Sequence, residues 1–169
     1  MALPVYIFDV VDEIDQQSEL VTGFINRKTG ELTILTTDDY YALKHLDEGG
    51  ALDELPAWQQ EIIPKLQEVS ESDDFIQLPS PYEIDEYRIM QRFIWSLEDD
   101  KIRQELENLI QGSGAFRRFR DAIDRYDVRN DWWNYKKNAI KRIAVDFLDS
   151  EGITWTEEKP EATHHPINF

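Results

Sequence analysis

The sequence predicts an α+β fold, in which a small antiparallel β element (a hairpin plus a third strand) precedes a mostly helical C-terminal half. Three observations carry this. Between Leu20 and Thr36 apolar residues alternate at period two on both sides of a polar interval ending in Gly30, the mark of a β-hairpin. From Tyr82 to Ser150 apolar residues recur every three or four positions, as helices with one buried face require. Pro79 and Pro81 separate the two regions and interrupt any regular element there.

Taken in order, Ile7, Phe8, Val11 and Ile14 stand at helical spacing and predict a short amphipathic helix. In the hairpin, Leu20, Thr22 and Phe24 alternate with Val21, Gly23 and Ile25, and Leu32 and Ile34 continue the pattern. Asn26 to Gly30 supplies the turn, with Gly30 free to take positive φ. Thr37-Asp38-Asp39 opens a helix with Tyr40, Leu43 and Leu46 on one face, and Gly49-Gly50 stops it. Pro56 suits the first position of the next helix, whose apolar stripe reads Trp58, Ile62, Leu66 and Val69. Pro64 lies inside it; an interior proline costs ~3 kcal/mol, so a kink or an early end is expected. Phe75 to Pro79 forms a short strand able to join the hairpin.

Four helices follow. Ile89, Phe93 and Leu97 form one line with Met90 and Ile94 beside it. Ile102, Leu106, Leu109 and Ile110 mark a second helix, ended by Gly112-Ser113-Gly114, and Phe116, Phe119, Ile123 and Tyr126 a third. The fourth runs from about Asn130, a residue type suited to the N-cap, to Gly152, with Trp132, Trp133, Ile140, Ile143, Ala144 and Phe147 as its apolar face. Residues 153–155 suit an edge strand. The expected organisation is a single compact domain over 1–156, with an α/β module at 1–79 and a helical module at 83–152, followed by a flexible tail at 157–169.

Composition narrows the function. The 169 residues include no cysteine, which removes disulfides, thiolate metal sites and cysteine nucleophiles together. The N-terminal apolar run is short and interrupted by Asp9, Asp12, Glu13 and Asp15, so neither a signal peptide nor a membrane span is expected and the cytoplasm is the expected compartment. The net charge is −17, which favours solubility and repels nucleic acid and anionic membranes. That charge is uneven: Arg117 to Arg142 holds nine of the 18 cations against four acids, a local net of +5.

The runs EYRIMQRFIWSL and GSGAFRRFRDAIDRYDVRNDWW, with NRKTGEL in the hairpin and LPAWQQEI further on, resemble uncharacterised protein family 0158 over about residues 5–153. Pro64 looks like a departure, since an uninterrupted helix is expected there. The resemblance implies a small cytosolic bacterial protein and brings no reaction, cofactor or catalytic residue.

The basic stretch is the main candidate site. Arg117, Arg118 and Arg120 begin a helix after a Gly-Ser-Gly turn, an arrangement similar to a helix-turn-helix. Lys137 and Lys141 follow, with Trp132, Trp133 and Tyr135 near enough in sequence for base stacking. Against this, Arg117–Asp121, Arg120–Asp124 and Asp121–Arg125 stand at i,i+4, where ion pairing would dilute the positive field. Lys136 is placed nearer the core edge, and both tryptophans on the apolar side. The basic helices equally suit docking on the acidic N-terminal half.

Catalytic and metal chemistry has little to stand on. His45 sits near a helix C-terminus, a position suited to the helix dipole. His164 and His165 fall in the tail. Asp85, Glu86, Glu98, Asp99 and Asp100 flank helix starts, where carboxylates usually cap. No phosphate loop or hydrolase motif occurs, and no cofactor is expected. Trp95 and Tyr41 are the aromatics expected at the surface. The reading is a non-enzymatic interaction or regulatory protein acting through a protein partner, without membrane contact. The alternative is a nucleic-acid-associated protein using Arg117, Arg118, Arg120, Lys137 and Lys141.

Overall fold

Ile7, Val10, Val11 and Ile14 recur on one face of the first helix and lie at most 2% exposed, so the chain starts by committing a stripe to the core. The computed structural model describes residues 3–161. It runs β1 (Val5–Tyr6), α1 (Ile7–Gln16), β2 (Val21–Asn26), β3 (Leu32–Thr36), α2 (Thr37–Asp47), a 3₁₀ turn (Leu52–Glu54), α3 (Ala57–Glu71) and β4 (Phe75–Gln77). The helical half is α4 (Pro81–Ile84), α5 (Glu86–Ser96), α6 (Asp100–Leu109), α7 (Ala115–Arg125) and α8 (Arg129–Ser150), closed by β5 (Trp155–Thr156). The α+β expectation holds.

The hairpin and its third strand form one antiparallel sheet in the order β3-β2-β4. Asn26 makes the turn: its Oδ1 accepts from the backbone N–H groups of Lys28 (2.9 Å) and Thr29 (3.0 Å). Gly30 has φ +76°, and a Cβ there would meet Val5 Cγ2 at 2.8 Å, so only glycine lets the turn close on β1. Alternation along the strands divides the core in two. Phe24, Leu35 and Phe75 face a smaller cluster under α2 and α3, which adds Ala42, Leu43, Ile63, Leu66 and Val69. Ile25, Leu32 and Ile76 face the larger cluster, shared with α1 and the C-terminal helices. The boundary between clusters thus runs through the sheet, and α1 packs with the helical half.

Several expected faces are turned by one position. On α3 the buried residues are Gln59, Ile63, Leu66 and Val69, while Trp58 is 60% exposed and Ile62 is exposed. On α2 Asp39, Ala42 and Leu43 are buried and Tyr40 lies outside. Its start at Thr37 is the expected one; Thr36 is the N-cap, in a reciprocal capping box with Asp39, and that box draws Asp39 inward. The expected break at Pro64 does not occur, because α3 continues through it to Glu71. Pro64 sits on the exposed face, where water can take the Gln60 carbonyl that the proline leaves unpaired.

In α8 the helix begins at Arg129, before the expected Asn130 cap. Gly152 does take the left-handed conformation, φ +71°, just past its end. Trp132 packs edge-on against Phe93 (5.4 Å between centroids) and Phe119 (4.9 Å), whereas Trp133 is 52% exposed rather than in the core. The edge strand expected at 153–155 lies at Trp155–Thr156 and pairs in parallel with β1. Of the expected tail, Glu157 is held by an ion pair to Lys141. Residues 162–169, with His164 and His165, lie outside the described residues.

Two polar side chains lock α1 in place. Gln17, buried at its end, accepts from the Gly23 N–H (2.9 Å) and donates to the Pro79 carbonyl (2.6 Å). Lys136 of α8 reaches Asp15 of α1 and Glu86 of α5, each at 2.9 Å, with 12% of its side chain exposed. Burial works against its charge, but the hydrogen bonds to Asp15 and Glu86 outweigh it and hold the ammonium pKa above the ordinary value.

Two stability measurements follow. Lys136→Gln should lower unfolding free energy by ~1–3 kcal/mol at neutral pH, since it strands two partly buried carboxylates. Because the folded pKa is raised, that difference should be fully present below the unfolded lysine value of ~10.4 and vanish as pH rises through the folded one. A difference that instead faded between neutral pH and pH ~9 would contradict this. Pro64→Ala should restore a helix N–H and raise the melting temperature by ~2–6 °C in a thermal scan.

Candidate interaction surfaces

The basic helices do not present one cationic face. Arg118 follows Phe116 and precedes Phe119, so its side chain runs along the edge of the buried stripe of α7 and turns back over the preceding loop. Its guanidinium donates to the carbonyls of Leu109, Gln111 and Ser113, each at 2.7 Å. Gly114, φ +80°, lies under it: a Cβ there would meet Arg118 Nη1 at 2.9 Å. Tyr87 adds a hydrogen bond to the Ile110 carbonyl at 3.0 Å. Together they satisfy the end of α6 and staple the Gly-Ser-Gly turn.

Arg117 and Arg120 point outward and make no ion pair with another described residue. The expected i,i+4 pairs of α7 do not form among the described residues; Asp124 instead binds Arg129, at the start of α8, at 2.6 Å. Lys137 lies over the Phe8 ring at 4.3 Å. Lys141 pairs with Glu157 and lies 5.5 Å from the same ring. With Lys136 on Asp15 and Glu86, the cations of α8 are largely turned toward the chain's own acids and aromatics. The five candidate cations are therefore not brought together: one is a loop staple, two rest on α1 or the C-terminal strand, and two are open.

Carboxylates near helix starts behave as caps. Asp99 accepts from the N–H groups of Lys101 and Ile102, and Asp85 from that of Arg88. No described group of three or more His, Asp or Glu residues is placed to hold a metal ion. His45 packs its ring on Gly50, and its Nε2 lies 2.9 Å from Glu54 without the alignment of a hydrogen bond. On α1, burial, and then the neighbouring charges of Asp12 and Asp9, lift the Glu13 carboxyl above the usual range.

A second surface was only partly visible in the sequence. Tyr41 is 66% exposed and Trp95 56%, as the sequence led us to expect, but Trp58, Tyr40, Leu52 and Ile62 join Tyr41 on α2, α3 and the turn between them. Trp58 and Ile62 stand one turn apart on the exposed side of α3, and α2 is in contact with the same helix. The signal was present as a second apolar row beside the buried one. Residues 37–74 carry eleven acids and two bases, a net of −9, so this aromatic surface has an acidic surround.

Fold and surface define an α+β protein with an acidic, aromatic face and without an assembled set of catalytic residues among those described. The chain belongs to Uncharacterised protein family (UPF0158), whose model matches residues 37–167. The match begins after the hairpin, later than the resemblance over residues 5–153, and extends further toward the C-terminus. No curated protein and no solved structure matches the chain. No described helix is long and apolar enough to cross a membrane.

The loop staple can be separated from the open cations. Arg118→Ala should cost ~2–4 kcal/mol in denaturant unfolding, because three carbonyls lose a charged donor. Arg117→Ala should stay within ~0.5 kcal/mol of the natural protein. Equal effects would show that Arg118 does not hold the turn.

Proposed function

We propose that the protein is a non-enzymatic interaction protein of the cytoplasm whose partner docks on the α2–α3 face. The observation that carries this reading is the concentration of Tyr40, Tyr41, Leu52, Trp58 and Ile62 at the surface of one small module. Isolated exposed apolar residues are ordinary, but several on one small module are what interfaces draw on, and Trp and Tyr dominate binding energy there. The net charge of −9 over residues 37–74 sets the partner's chemistry: a protein surface with an apolar centre and a rim of Lys and Arg. Nucleic acid is a poorer fit, since the acidic module repels it and Arg118 and Lys141 are engaged within the chain.

A photo-crosslinking phenylalanine analogue in place of Trp58, and separately of Arg120, tests this in the source cells. The expected result is a discrete adduct with a basic protein from the first position, lost when Tyr41→Ser is added, and none from the second. Adducts from Arg120 alone, or salt-steep binding of labelled duplex DNA lost in Arg117→Glu/Arg120→Glu, would overturn the reading in favour of the basic helices.

A further inference from the structure

The cleft between α5 and α8 gathers three arginines from two helices that are far apart in the sequence. Arg88 and Arg92 stand one turn apart on α5, and Arg142 joins them from α8 around a cavity of about 340 Å³. Ile84, Ile89 and Ile143 give it an apolar floor, and Tyr135 and Asn138 flank it. The cavity continues into a wider hollow that shares Arg88 and Arg92 and adds Tyr82, Tyr87 and Phe116. Tyr82, on the short helix α4, is 93% exposed at this mouth.

What sets the cleft apart is that three unpaired guanidinium groups share one concavity. The chain has 35 acids and 18 bases, yet none of these three guanidinium groups pairs with another described residue. The acids at the mouth are already engaged. Glu83 accepts from the Ser80 N–H at 2.9 Å, Asp85 from the Arg88 N–H at 3.2 Å, and Glu86 holds Lys136 at 2.9 Å. Asp146, one turn beyond Arg142, lines a neighbouring hollow together with Arg142 and Lys141, but it pairs with neither: Lys141 is held by Glu157. Three like charges around one concave site repel each other, and an anion between them relieves that repulsion. Arginine forks fit phosphoryl oxygens two at a time. The volume is at the lower end of the ~300–1,000 Å³ of small-molecule pockets, which likewise combine an apolar lining with a few polar groups. The backbone supports the mouth: Asp85 is held at φ +52° between α4 and α5, a strained conformation of the kind that collects at ligand sites.

We propose that this cleft binds a small phosphorylated ligand with a planar aromatic body, of mononucleotide size, its phosphoryl group held by Arg88, Arg92 and Arg142 and its ring carried by the apolar floor and Tyr82. The site lies on the helical half, apart from the α2–α3 face, and does not depend on it.

Isothermal titration calorimetry of the full chain with AMP, adenosine and inorganic phosphate tests the proposal. AMP should bind, with adenosine and phosphate each at least tenfold weaker. Arg92→Gln and Arg142→Gln should each weaken AMP roughly tenfold or more, while Arg120→Gln should leave it unchanged. Should either cleft variant fail to fold, phenylglyoxal labelling of the natural protein tests the same contacts: AMP should protect Arg88, Arg92 and Arg142 from modification and leave Arg117 and Arg120 reactive. Absence of AMP binding at low salt, undiminished binding by folded cleft variants, or equal labelling with and without AMP would overturn it. Binding of an RNA oligomer or an acidic peptide to the cleft in place of AMP would overturn it as well.

Discussion

Ile7, Val10, Val11 and Ile14 form the stripe on which the remaining packing depends. Helix α1 lies between α8 and β2, so these four side chains belong at once to the helical half and to the sheet. Full burial of an aliphatic side chain is worth ~1.5–3 kcal/mol, or about 6–12 kcal/mol for the four. A whole domain retains only ~5–15 kcal/mol of net stability, so loss of this one face is comparable with the total. The polar bonds around α1 then choose among packings that apolar contact alone would leave similar. Gln17 ties the end of the helix to β2 and to the chain leaving β4, and Lys136 draws α8 onto the same helix through Asp15.

What could be read from the sequence was mostly periodicity. The hairpin, its third strand and the C-terminal helices all follow from apolar spacing, because each has a buried face of its own. The misplaced helix faces fall where two adjacent rows satisfy that spacing. Trp58-Ile62 and Gln59-Ile63 both sit four apart, and both share Leu66 and Val69; only the tertiary position of α2 decides that Trp58 stays outside. Trp132 and Trp133 pose the same choice, settled by the aromatic cluster of Phe93 and Phe119. The β1–β5 pair involves two residues on each side, too few for any period to register.

Charge was legible as a total and misleading as a location. Counting along the chain singles out residues 117–142, yet Arg118 is turned onto backbone carbonyls and Lys136 and Lys141 onto carboxylates. Arg88 and Arg92 lie in a stretch where neighbouring acids cancel them on paper. Those acids face capping N–H groups and Lys136, which leaves the arginines exposed around a cleft with Arg142. Only the packing of α5 against α8 makes them one group.

The parallel pairing of Val5 with Trp155 joins residues 150 positions apart. Closing a loop of that length carries an entropic cost that grows with the logarithm of its size, and contacts of such separation form late and slowly. During synthesis at ~5–20 residues per second, β1 waits roughly 8–30 s for the strand it must pair with. In the finished fold β1 also lies against the Gly30 turn, where a Cβ would meet Val5, so the first strand has one neighbour close in sequence and one far from it.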